Sequence, residues 1–79
     1  MNDAAFRNVL GRITGRAPDA ITDDAPIDSS EWDSIVLLDM IAAIDESFGV
    51  TVPTGAVQSC ATAGELRALI DSALARAAR

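Results

Sequence analysis

Asp33, Ser34 and Ile35 mark the point in this 79-residue chain where residue type and position together suggest covalent chemistry. They stand where an acidic, turn-rich stretch gives way to an apolar helical pattern. The first amides of a helix have no intrahelical partner, and the helix dipole favours an anion beside them. A serine at such a junction is exposed, and a phosphate ester on its hydroxyl would be electrostatically welcome. The plain alternative is an ordinary helix cap, because Asp-Ser before an apolar run is a common N-cap signature. No other grouping competes. The chain has no histidine and a single cysteine, Cys60, which excludes the usual zinc sites and the common His-based catalytic sets. We assign no catalytic and no metal-ligating residues. Cys60 reads as a small buried apolar side chain.

Three segments have the periodicity of helices that could position this site. Ala4 to Thr14 carries Phe6, Val9, Leu10 and Ile13 on one stripe, with Asp3 as its expected N-cap and Gly15 as its stop. Residues 16–32 read as a long first loop, broken by Pro18 and Pro26 and expected to pack down through Ile21, Ile27 and Trp32. Ser34 to Ser47 is the second helix, with Leu37, Ile41, Ile44 and Phe48 toward the core, Leu38 and Met40 flanking them, and Gly49 near its end. Its opposite face carries Ile35, Asp39, Ala42 and Glu46. A brief turn is expected around Ala56 to Cys60. Thr62 and Glu65 then form a T-x-x-E capping box. The helix after it buries Ala63, Leu66, Leu69, Ile70, Ala73, Leu74 and Ala77, with Arg76 and Arg79 at its dipole-negative end.

Composition agrees with an all-α fold. Apolar residues make up 49% of the chain, yet there are only two Phe, one Trp and no Tyr, so aliphatic side chains must do the packing. The length fits one domain over residues 1–79. The reading is a small four-helix bundle: three main helices, one short helix and a long first loop. Its expected core includes Phe6, Leu10, Leu37, Ile41, Ile44, Phe48, Leu66, Leu69 and Ile70.

Charge restricts the partners. The net charge is −6, and no basic residue occurs between Arg16 and Arg67, a stretch holding ten acids. That field repels nucleic acid and anionic lipid and favours basic protein surfaces. No long apolar run or basic leader is evident, and the lone cysteine cannot form an internal disulfide. A monomer in the cytoplasm is therefore expected, without nucleic acid or membrane as a partner.

The wider pattern around Ser34 resembles the acyl and peptidyl carrier protein family. The resemblance rests on Asp33-Ser34-Ile35, on Asp45-Glu46-Ser47-Phe48-Gly49-Val50 one helix later, on Val52-Pro53, and on the upstream run from Ile21 to Ile27. It implies that Ser34 receives 4′-phosphopantetheine from coenzyme A, and that Asp33 lies close to the transferase's metal. It also implies that Ile35, Asp39, Ala42, Asp45 and Glu46 meet partner enzymes along the second helix. The partners implied are a phosphopantetheinyl transferase and acyl-loading and acyl-processing enzymes with basic docking surfaces. The cargo would be an acyl or aminoacyl thioester of the fatty acid, polyketide or nonribosomal peptide type. The family often has Leu-Gly shortly before the Asp-Ser pair; here Ser30, Glu31 and Trp32 stand instead, so Trp32 is expected to take part of that packing role. Val36 and Leu37 replace residues that are often polar in fatty-acid carriers. A different class remains as the alternative: a small acidic helical adaptor that binds a basic protein with no covalent arm.

Overall fold

A computed structural model describes residues 2–77. Its helices are α1 (Asp3–Thr14), α2 (Ser34–Phe48), α3 (Thr54–Gln58) and α4 (Ala63–Ala77). Single 3₁₀ turns at Pro18–Ala20 and Ser29–Glu31 punctuate the first loop. The bundle is all-α, as the composition requires. The expected Arg79 contact with the end of α4 falls outside the described residues, whereas Arg76 does stand in the last turn.

Helix α1 starts one residue earlier than its sequence pattern suggests. Asn2, not Asp3, is the cap: its side chain accepts a bond of 3.2 Å from the amide of Ala5. Asp3 is thereby freed for ion pairing. It bonds Arg7 Nε at 3.0 Å and also meets the guanidinium of Arg67 on α4. Arg67 reaches Asp23 of the first loop at 3.1 Å and lies 4.9 Å from the Phe6 ring centroid. One guanidinium therefore ties α1, the first loop and α4 together. α2 ends at Gly49, whose φ of 73° lies in the left-handed region and whose amide bonds the carbonyl of Asp45.

The core joins Phe6, Val9 and Leu10 of α1, Leu37, Met40, Ala43 and Ile44 of α2, and Leu66, Ile70 and Ala73 of α4. Val50, Val52, Val57 and Cys60 close it from the α2–α4 connection. The buried arc of α2 differs from the expected one. Met40 is fully buried rather than flanking, while Ile41 and Phe48 are only partly buried. Leu38 points to solvent with 62% of its surface exposed. At about 100° per residue the arc is turned by roughly 60° toward Met40 and Ala43. The cause is α1, which packs along the Val36–Met40–Ala43–Ser47 side: Ile13 lines a groove with Val36, and Ala5, Asn8 and Val9 line another with Ser47. On α4, Leu69 is half-buried, at the edge of the face that buries Leu66, Ile70 and Ala73, and Ala77 in the last turn is exposed.

The long first loop is held down rather than loose. Ile21 and Ile27 are buried in the core, and Trp32 packs partly against it. Backbone bonds fasten the loop to the start of α4: Gly64 N to Asp23 O at 2.7 Å, Ala63 N to Ala25 O at 2.9 Å and Ile27 N to Ala61 O at 3.1 Å. Two amides of α4 that have no intrahelical partner are satisfied this way. Gly64 permits the approach, since a Cβ there would sit 2.8 Å from the Asp23 oxygen. The expected capping box completes the start of α4, with Glu65 N donating to Thr62 Oγ1 at 3.3 Å and Thr62 N to Glu65 Oε2 at 3.2 Å. The short helix opens at Thr54, two residues before the expected turn, directly after Pro53.

Ser29 is the buried polar residue that fixes the last part of the loop. Its hydroxyl bonds the carbonyls of Gln58, at 3.2 Å, and Cys60. Replacing Ser29 with Ala should cost about 1–3 kcal/mol, because a hydrogen-bonding group is lost beside carbonyls left unpaired in the interior. Chemical denaturation measures this, and a loss within error of zero would show that water replaces the hydroxyl. Cys60 is buried beside it, and its thiol points back to the Ala56 carbonyl at 3.4 Å.

Candidate functional site

Ser34 opens α2, and the residues before it are held in extended backbone: Trp32 at φ −69°, ψ 134° and Asp33 at φ −77°, ψ 176°. Asp33 performs the capping. Its Oδ1 accepts from Val36 N at 2.9 Å, and its carbonyl accepts from Leu37 N at 3.0 Å. Ser34 is exposed, and its hydroxyl makes no hydrogen bond with any described residue. Cap and uncommitted hydroxyl are thus separate side chains. A serine acting as the cap would have spent its oxygen on a backbone amide. Here the Ser34 oxygen stands free at the dipole-positive end of a 15-residue helix.

The outer side of α2 gathers the remaining candidates. Ile35 is 71% exposed, and Asp39, Ala42, Asp45 and Glu46 are all exposed with it. Ile35, Asp39, Ala42 and Glu46 run along the helix in one outward line, and Asp45 lies to one side. Leu38 joins them, which the sequence reading missed by placing it on the flank of the core stripe. The signal was present: Leu38 is four residues after Ser34 and four before Ala42, both on the outward side. Ile35 and Leu38 are the large hydrophobic side chains that the described surface leaves exposed, and both lie beside the free serine.

Asp39 and Asp45 stand beside this apolar pair on α2. In the first loop, Asp24 is held below the ordinary carboxylate range by a hydrogen bond from the Thr22 hydroxyl, 2.6 Å long, and by a backbone amide. No helix among the described residues is long and apolar enough to cross a membrane.

The family model for the phosphopantetheine attachment site matches residues 4–70. The chain belongs to the phosphopantetheine-binding carrier proteins. An acyl carrier protein from Renibacterium salmoninarum is 32% identical over 73 residues, covering 91% of this chain and 90% of that protein. No solved structure matches. As a carrier, the protein bears a covalent 4′-phosphopantetheine group and holds cargo for other enzymes instead of catalysing a reaction. It works with a phosphopantetheinyl transferase and with acyl-handling enzymes. The exposed, uncommitted Ser34 hydroxyl at the head of α2 is chemically suited to carry such a group.

Proposed function

We propose that this carrier is a discrete, monomeric cytoplasmic domain spanning residues 1–79 that takes its arm on Ser34. It delivers acyl or aminoacyl thioesters to biosynthetic enzymes of the fatty acid, polyketide or nonribosomal peptide type. The observation that supports this most is the uncommitted Ser34 hydroxyl at the head of α2, with capping delegated to Asp33.

Ser34 contributes only its oxygen. Ser34 Oγ forms a bond to the coenzyme A phosphorus nearer the pantetheine, the bond from that phosphorus to the adenosine bisphosphate breaks, and the serine proton passes to a base on the transferase. Magnesium comes with the transferase and stabilises the departing phosphate. The second oxygen of Asp33 makes no hydrogen bond, so the carboxylate can face that metal while still capping α2. Once attached, the arm supplies a terminal thiol for thioester bonds, and tethering makes each delivery effectively intramolecular. Incubation with a transferase and coenzyme A, followed by intact-mass measurement and peptide mapping, should place the added mass on Ser34. Finding it on Ser29, Ser30 or Ser47 would overturn the assignment.

Partners dock along the outward line of α2. Ile35 and Leu38 provide apolar contact, while Asp39, Glu46 and Asp45 meet Arg or Lys on the enzyme. Reversing Asp39 and Glu46 to Lys should slow association with the transferase and flatten its salt dependence, because these charges act by steering. Ile35→Ala should weaken docking mainly through faster release, since apolar contact sets residence time. Stopped-flow kinetics at low and high salt separate the two effects. Wild-type rates in both variants would show that the face is merely solvated.

A further inference from the structure

The groove between α1 and the last turn of α2 has a volume of about 350 Å³ and is lined by Ala5, Asn8, Val9, Arg12 and Ser47. Val9 is buried and Ala5 half-buried, so they form its apolar floor, while Asn8, Arg12 and Ser47 stand exposed around it. The side chains of Asn8, Arg12 and Ser47 make no hydrogen bond or ion pair with any other described residue. Arg7, earlier on the same helix, is by contrast committed to Asp3. A guanidinium only donates, an amide and a hydroxyl can each donate as well, and no acidic side chain lines the groove. Three uncommitted donors around a small apolar floor suit a carboxylate, which an arginine binds through two parallel hydrogen bonds. Arg12 also stands in the last turn of α1, where the helix dipole favours a cation. That effect asks only for charge and accounts for neither the free amide and hydroxyl beside it nor the apolar floor.

The groove adjoins the docking line of α2 and carries the opposite sign. Glu46 precedes Ser47, and successive helical residues are about 100° apart, so the groove begins about a quarter-turn round α2 from the line. Ser34 and Ser47 stand roughly 20 Å apart along the axis of α2, at a rise of about 1.5 Å per residue. One interface of ordinary size covers that span. The line itself holds Asp39 and Glu46, with Asp45 to one side, and no cation. Charges of one sign attract a basic surface but fix its register weakly, because the surface can slip and exchange one carboxylate for the next. A contact of opposite sign off the row removes that freedom. Register matters most to the transferase. Enzymes that handle the cargo reach it through a flexible arm, whereas the transferase acts before the arm exists and must bring its reacting centre to the Ser34 oxygen itself.

We infer that the groove receives an Asp or Glu side chain of the phosphopantetheinyl transferase and fixes the register in which that enzyme lies along α2. The inference rests on the α2 docking line and on Ser34 as the attachment point. Arg12 is then a positioning residue, since it touches neither coenzyme A nor the reacting hydroxyl. It also discriminates: a transferase whose surface is basic throughout meets repulsion at Arg12, and one with a matching acid does not.

The sign of one substitution tests this. Arg12→Glu replaces a positive charge by a negative one and takes the net charge from −6 to −8. If acidity only steers, that carrier should be modified faster. With a transferase carboxylate in the groove, Arg12→Glu should instead lower kcat/KM by about fivefold or more. Arg12→Gln, which adds no acid, should lower it about twofold to threefold and serves where the reversal disturbs folding, as urea unfolding reports. Changing the exposed Asp and Glu residues of the transferase singly to Arg should yield one enzyme that restores the rate on the Arg12→Glu carrier and slows on the wild-type carrier. A purely structural effect of Arg12 could not be rescued from the other protein. Unchanged or faster modification of Arg12→Glu would overturn the inference. So would sedimentation showing that the carrier self-associates through Arg12, with no transferase variant giving rescue, because the α2 acids of a second copy would then be the occupant. If the Asp39→Lys, Glu46→Lys carrier is slowed while Arg12→Glu is not, the docking line stands and the groove reading alone falls. If neither of these carriers nor Ile35→Ala departs from wild type, both fall.

Discussion

Ser34→Ala should abolish the mass gained from coenzyme A while leaving the stability of the bundle unchanged within about 0.5 kcal/mol, the usual range for an exposed substitution. The second half of this expectation follows from the division of labour at the head of α2. The Asp33 carboxylate bonds Val36 N, and the Ser34 hydroxyl bonds nothing. Asp33→Ala should show the complementary result. Loss of an N-cap costs about 0.5–2 kcal/mol, so this variant should melt earlier. It should still accept the arm, at a rate lowered by whatever Asp33 contributes near the transferase's metal. Mass spectrometry and urea unfolding of the two variants make the comparison. A Ser34→Ala protein as destabilised as Asp33→Ala would show that the hydroxyl shares the capping.

Met40→Ala should be among the most damaging single truncations in the chain, at about 2–5 kcal/mol, because it removes a fully buried side chain and leaves a cavity. Leu38→Ala, two residues away, should cost almost nothing in stability, since Leu38 is 62% exposed. It should instead weaken partner binding. Ile41→Ala should fall between them, as its side chain is only partly buried. Urea unfolding orders the three, and transferase kinetics read the binding effect of Leu38. Equal stability losses at Leu38 and Met40 would mean that the facing of α2 is wrong.

That contrast also shows where the sequence was readable. The number and order of helices followed from apolar spacing and from breakers such as Pro18, Pro26 and Gly49. The T-x-x-E box at Thr62 and Glu65 located the start of α4 to the residue, because a cap is a local device. The facing of α2 was not local. An apolar helix with residues on nearly every side has no single stripe, so the position of α1 decides which side is buried. Met40 and Leu38, both expected on the flank of the core stripe, part company for that reason: Met40 is buried and Leu38 is exposed. The same holds at α1, where Asn2 and Asp3 are both good caps. The choice between them is coupled to Arg67, 64 residues away from Asp3 in the chain, which recruits Asp3 into an ion pair. The candidate site was proposed from a position, Asp33-Ser34, and the outward line of Ile35, Asp39, Ala42 and Glu46 is exposed as expected. What no periodicity could show is that Asp33 takes the cap. The groove beside Ser47 was equally hidden, since it is assembled from α1 and α2.

The burial of Cys60 has a consequence for the cargo. A thioester is vulnerable to any nearby thiolate, which can take the acyl group by exchange. The arm is long and mobile, so a reactive thiol on the carrier's own surface would be a permanent drain. Cys60 is closed off in two ways. It is buried between α3 and α4, with its sulfur turned toward the Ala56 carbonyl. Burial, reinforced by the negative charge of Glu65, also pushes its pKa above the ordinary thiol value, so the nucleophilic anion is suppressed. The unfolded chain would ionise this thiol first, so any stability linked to it is intact below the ordinary thiol pKa and lost as the pH rises beyond it. In the folded carrier the terminal thiol of the arm is left as the accessible thiol, and acyl exchange onto Cys60 is shut out.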